Sequence, residues 1–203
     1  MADDVQKKKR ETKEEAMDWK KNVVLYMHDL LFMLVAIMLL FLLIFRVIIV
    51  SGSSMYNTLI DGDYLLLISN LFYQEPRYGD IIVASKDSFD DGKPIIKRVI
   101  ATEGQTVDID FEQGIVYVDG EALHEDYIYT PTNVDEGMLF PLTVDTNCVF
   151  AMGDNRNKSH DSRSTDIGQI DKREILGKAI FLFLPGTDKD HASPEYERIG
   201  AIK

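Results

Sequence analysis

The chain has 203 residues, with 34 Asp and Glu against 22 Lys and Arg and a formal net charge of -12 at pH 7. That charge is uneven: residues 1–50 carry 8 Lys/Arg and 7 Asp/Glu, whereas residues 51–203 carry 14 and 27, so the second part repels polyanions and nucleic acid is excluded as a partner. The single cysteine, Cys148, excludes an intramolecular disulfide and cannot build a thiolate metal cluster alone.

Residues 1–22 read as a polar, cytoplasmic tail in which Lys7-Lys8-Lys9-Arg10 and later lysines alternate with acids. From Leu30 to Phe45 no residue is charged, a run that as a helix spans roughly 24 Å. Val23 to Tyr26 upstream and the snorkelling stem of Arg46 downstream supply the missing hydrocarbon thickness. The pattern predicts a transmembrane anchor over residues 23–50, with the lipid bilayer as a partner. The seven Lys/Arg before residue 22 hold the amino terminus in the cytoplasm, so residues 51–203 form one extracytoplasmic domain. The competing reading, a cleavable signal peptide, has Ser51 and Ser53 as small residues before a cut, but its apolar region is normally shorter.

The anchor gives way to Ser51-Gly52-Ser53-Ser54-Met55-Tyr56-Asn57-Thr58-Leu59. A Ser/Gly linker is one reading. The bulk of Met55, Tyr56 and Leu59 argues instead for an ordered turn held against a core, and such a turn can carry a nucleophile. Beyond it, Tyr64 to Ile68, Ile81 to Ala84, Pro94 to Ile100, Val107 to Phe111, Ile115 to Val118, Cys148 to Met152 and Ile175 to Leu184 read as strands. Asp119-Gly120 and Gln113-Gly114 turn a meander. Asn70 to Tyr73 is an apolar loop, Lys86 to Lys93 a polar one, and the tail from Gly186 carries no signal. The fold class is mainly β: short strands and long loops after one N-terminal transmembrane helix.

A serine nucleophile needs a base. Of the four histidines, His28, His124, His160 and His191, none lies in an apolar strand; His160, beside Asp161, is the best placed of them. Neither HExxH nor paired CxxC occurs, and the histidines are scattered, so no metal or other cofactor is expected. Lys97 is different. Strand alternation puts it on one face with Ile95 and Val99, opposite Ile96, Arg98 and Ile100. Either its stem snorkels, as edge-strand lysines do, or the amine is buried and falls from about 10.4 by several pKa units, becoming a competent base. The third polar concentration, Gly153 to Arg163, reads alone as a hydrated loop or as a cation loop lacking its terminal glutamate.

Taken together and in this order, Gly52-x-Ser54-Met55-x-x-Thr58-Leu59, Gly79-Asp80-Ile81-Ile82-Val83, Lys97-Arg98-Val99-Ile100 and Gly153-Asp154-Asn155-Arg156 through Ser159, Asp161, Ser162 and Arg163 resemble the boxes of the type I signal peptidase, or leader peptidase, family. The chain is most similar to the short, single-anchor bacterial members. The resemblance implies a membrane serine endopeptidase that cuts signal peptides from exported preproteins having small residues before the cut. It implies Ser54 as nucleophile, Lys97 as general base and Ser159 as the hydroxyl that orients the amine. It further implies an Asp161–Arg163 ion pair behind Lys97, and Val50 and Ile96 as linings of the small substrate pockets; Ser53 is not the matching serine. The chain departs from the family in having Asn57 for a usual proline and Gly52 where some members place a serine that helps bind the oxyanion, which leaves more of that task to the Ser54 amide. Ala101 to Gln105 keeps only Gly104 of a Gly-x-Pro-Gly-Asp pattern, and two extra residues separate Arg163 from Gly168. The alternatives are a catalytically idle relative that assists assembly of surface proteins, which would be expected to lose the serine or lysine, and a penicillin-binding type of acyl enzyme, which needs a Ser-x-x-Lys that is absent after the anchor.

Overall fold

The computed structural model describes residues 2–86, 89, 92–187 and 193–202. Two units follow one another along the chain, residues 1–43 and 44–203.

The first is one helix, α1, Ala2–Ile44, so the polar tail is helical as well. Its last 27 residues, Asp18–Ile44, are long and apolar enough to cross a membrane, spanning about 40 Å against a hydrocarbon core of about 30 Å. The helix ends at Ile44, before the expected boundary at Val50. The reason is local: Val47, Ile48 and Ile49 are branched at Cβ, which restricts χ1 and suits a pleated strand better than a helix. They lie in β1, Phe45–Ile49, whose partner is β2, Tyr64–Ser69, in antiparallel register from Phe45 opposite Ile68 to Ile49 opposite Tyr64.

The second unit is built on two antiparallel sheets. The larger contains β1, β2, β3 (Ile81–Ser85), β4 (Pro94–Thr102), β9 (Cys148–Met152), β10 (Ile170–Asp171), β11 (Ile175–Leu184) and β12 (Gly200–Ala201). Its order is β1-β2-β11-β3-β4-β9-β10, with β12 on β11. The smaller, ordered β7-β6-β5-β8, is the predicted meander of β5 (Thr106–Asp110), β6 (Ile115–Val118) and β7 (Glu121–Ala122), extended by β8 (Leu142–Thr143).

Alternation along the central strands feeds separate cores. Ile81 and Val83 of β3 join Val50, Met55, Leu59, Leu65, Leu67 and Ile96 on one side; Ile82 and Ala84 join Val99, Val149, Ala151 and Ile175 on the other. A sheet covered on both faces explains why β3 reads as a continuous apolar run. The third core, around Val107, Val116 and Phe150, contains residues of both sheets.

Candidate active site

Lys97 lies in the middle of β4, opposite Ile82 of β3, on the strand face that carries Ile95 and Val99 into one core, as the alternation predicts. Its side chain does not snorkel: the residue is 4% exposed. Burial drives the amine down from 10.5 to about 8, against the opposing pull of the Asp161, Glu136 and Asp154 carboxylates and with a smaller push from the Arg163 cation. The Nζ lies 2.9 Å from Ser54 Oγ. Residues 43 positions apart in sequence thus meet.

Ser54 sits in a turn, not a linker. Met55 and Leu59 are buried in the same core as Val50 and Ile96, and the Leu59 amide donates to Met55 O at 2.8 Å. At the base of the turn the Val50 amide donates to Asp63 O at 2.8 Å and the Gly62 amide to Val50 O at 2.9 Å. Gly52 takes φ +91°, in the left-handed region that favours glycine, while its amide donates to Asp61 Oδ1 at 2.7 Å.

The segment after β9 braces this turn. The Asn155 amide donates to Ser54 O at 3.0 Å and the Asn155 side chain to Ser53 O at 3.0 Å. A Cβ on Gly153 would meet Ser159 Oγ at 2.2 Å and Ser54 O at 2.4 Å, so only glycine lets the two chains approach. Ser159 Oγ is buried and has no hydrogen-bond partner among the described residues. It packs against Gly153, beside the Ser54 carbonyl.

Asp161 and Arg163, both fully buried, form a two-point ion pair, Nε to Oδ1 and Nη2 to Oδ2, each at 2.9 Å. Asp161 also accepts the Gly153 amide at 2.9 Å. Burial alone would raise the Asp161 carboxyl; the Arg163 guanidinium and the amide outweigh it and hold the group below the usual carboxylate range. Arg163 donates further to the Arg156 and Val134 carbonyls at 2.6 and 3.0 Å. The loop is therefore organised by this ion pair and its carbonyl bonds rather than as a cation cradle.

The family model for "Signal peptidase, peptidase S26" matches residues 23–184. The chain belongs to the signal peptidase family. A probable signal peptidase I-1 of Synechocystis is 39% identical over 68% of this chain and 70% of its own length. A signal peptidase I of Bacillus licheniformis is 30% identical over 86% and 95%. A solved signal peptidase I from Enterococcus faecalis, 29% identical, aligns with 51% of this chain and 96% of its own at a TM-score of 0.42.

As a signal peptidase family member the chain is a protease and hence a hydrolase. Several contacts of this family member were not legible in its sequence. Arg98, next to Lys97, makes a two-point pair with Asp154 at 2.9 and 2.8 Å, donates to Gly79 O at 2.9 Å and lies 4.1 Å from the Tyr127 ring centre. Asp154 in turn accepts Thr58 Oγ1 from the serine turn. Glu136, from a loop without motif, lies 3.7 Å from Arg163 and accepts the Asp161 amide at 3.4 Å; burial first, and then the Asp161 charge, raise its carboxyl. The opposite charges of Arg98 and Asp154 in two of the sequence boxes hint at their pair, whereas Glu136 lies outside the boxes. Of the histidines, His28 pairs with Asp29 on α1, His124 is exposed, and His191 falls outside the described residues. His160 meets Ser164 at 3.1 Å, Asp166 at 3.6 Å and Glu136 at 3.7 Å.

Proposed function

We propose that this membrane-anchored peptidase is a serine endopeptidase that removes N-terminal signal peptides from exported preproteins, with Ser54 as nucleophile and Lys97 as general base. The observation that carries the reading is a buried lysine amine 2.9 Å from a serine hydroxyl. Protonated, Nζ donates to Oγ; neutral, it accepts the hydroxyl proton. With burial holding the amine near 8, about one lysine in ten is neutral at pH 7, some 300-fold more than for an unshifted side chain.

Ser54 Oγ then adds to the scissile carbonyl carbon while Lys97 takes its proton. Lys97 returns that proton to the leaving amine as the C–N bond breaks, giving an acyl enzyme and the mature amino terminus. Lys97 next deprotonates water, which attacks the ester, and the signal peptide leaves as a free carboxylate. The Ser54 amide is proposed as an oxyanion donor. Ser159, whose Oγ packs against Gly153 beside the Ser54 carbonyl, is proposed as the hydroxyl that orients the amine. Asp161 and Arg163 hold that loop in place, and the Asp161 carboxylate moderates the fall of the lysine pKa. Val50 and Ile96, which pack in one core with Met55, are proposed to line the pockets for small substrate residues. The amino terminus is proposed to face the cytoplasm and residues 51–203 the outer side, as the charge before the apolar run requires.

The test is to incubate the purified protein in detergent with a secretory precursor and locate the cut by mass. A single cut after a small residue, lost in Ser54→Ala and Lys97→Ala, is expected; substantial cleavage by either folded variant rejects the dyad.

A further inference from the structure

The family model ends at residue 184, and the sequence beyond carries no motif. Nevertheless the described end of the chain returns to the serine turn. After a single helical turn, Tyr196–Arg198, β12 adds to β11 with Ala201 opposite Phe181 and Gly200 opposite Leu182. The Ile202 amide donates to Ile180 O at 3.0 Å, and the Ile202 side chain packs on the core that holds Val50, Met55 and Leu59.

This pairing presents Arg198 to the base of the turn. Its Nη1 donates to Asp63 Oδ1 at 2.9 Å and its Nη2 to Asp63 Oδ2 at 2.7 Å and to Thr58 O at 3.2 Å. Asp63 is fully buried, and the Arg198 side chain is 18% exposed. The same carboxylate accepts the Ile60 amide at 2.9 Å and the Gly186 amide at 2.8 Å, and the Asp63 carbonyl accepts the Val50 amide. Asp63 is thus where both ends of the turn are tied together. Thr58 is gripped twice, its carbonyl by Arg198 and its hydroxyl by Asp154. Asn155 fixes the first half of the turn at Ser53 and Ser54; Arg198 fixes the second half. A planar guanidinium serves a carboxylate and a carbonyl together, whereas an ammonium is a point charge without that fork.

We propose that Arg198 is a positioning residue that, through Asp63 and the Thr58 carbonyl, sets the serine turn so that Ser54 Oγ stays against Lys97 Nζ. The proposal rests on the peptidase reading of Ser54. A reacting atom displaced by about 1 Å loses on the order of 100-fold in rate, so a slackened turn is felt in kcat rather than in substrate affinity.

The experiment compares the full chain in detergent with Arg198→Ala, Arg198→Lys and the double variant Asp63→Asn/Arg198→Ala. Arg198→Ala is expected to speed hydrogen exchange of the Leu59 amide and to lower kcat on the precursor by about 10- to 100-fold with KM within about twofold. The pH midpoint of the rate stays where it is, because Lys97 is untouched, and Arg198→Lys recovers part of the loss. The double variant no longer buries an unpaired carboxylate; it regains Tm but not kcat. Arg198→Ala with wild-type kcat and wild-type Leu59 exchange overturns the proposal, as does a double variant that regains kcat together with Tm. If Arg198→Ala fails to fold, the double variant decides alone. If the wild type leaves the precursor uncut, the peptidase reading fails while Leu59 exchange still judges Arg198.

Discussion

Burying an amine that, as the proposed base, must be neutral to work makes Lys97 a destabilising residue, and the size of that effect follows from its position. A fall from 10.5 to about 8 corresponds to about 3 kcal/mol. At pH 7 the folded and unfolded chains both carry the proton, and the whole penalty applies. Between pH 8 and 10.5 the unfolded chain binds more protons than the folded one, so stability rises with pH; above 10.5 both are neutral and the penalty is gone. Lys97→Met keeps the volume and removes the charge. Its Tm at pH 7 is expected to exceed that of the wild type by about 6–12 °C, from about 2–4 °C per kcal/mol in a domain of this size. The excess shrinks to about 1–2 °C at pH 10.5, while cleavage is lost throughout. Thermal unfolding of the full chain in detergent, followed by circular dichroism at both pH values, measures this. A variant no more stable than the wild type at pH 7, or a gap that ignores pH, refutes the reasoning. The kinetic counterpart is a wild-type cleavage rate that climbs about tenfold from pH 7 to 9, as the neutral fraction goes from about 9% to about 91%; a midpoint near 6.5 would transfer the base role to a histidine.

Glu136→Gln removes one of the carboxylates that raise the Lys97 amine, so the midpoint of the pH–rate profile moves to lower pH; an unmoved or higher midpoint counts against that electrostatic link. Gly153→Ala forces a methyl group into Ser159 Oγ and the Ser54 carbonyl, and precursor cleavage is expected to fall at least tenfold in kcat; wild-type turnover would mean the two chains are not in contact. Asp154→Asn removes the charge paired with the Arg98 cation, which is 3% exposed, and costs about 3–5 kcal/mol. Denaturation then shows a Tm lower by about 6 °C or more, and an unchanged Tm would show that the pair contributes nothing.

The elements of the fold were readable where one local rule decided them. The uncharged run from Leu30 made a helix, the Pro94–Ile100 run made a strand, and Asp119-Gly120 turned β6 into β7 of the meander, as local pattern predicts. The apolar run after Ile44 misled because a membrane helix and a buried strand draw on the same residues; pairing with β2 resolved Phe45–Ile49 as β1. Alternation put Lys97 on a face with Ile95 and Val99, but it could not tell a buried amine from a snorkelling one. That required the packing on both sides of the sheet.

By itself, then, the sequence determined the apolar helix, the mainly β character of residues 51–203 and the four motif segments whose order marks the signal peptidase family. Only the tertiary structure decided that Lys97 Nζ lies 2.9 Å from Ser54 Oγ, that Asp154 belongs to Arg98, and that a tail without motif returns Arg198 to Asp63. The physical reason is range. Helix and strand periods are set by neighbours a few residues away, whereas an ion pair or a lowered pKa depends on which distant groups share one dry space, and no local pattern records that.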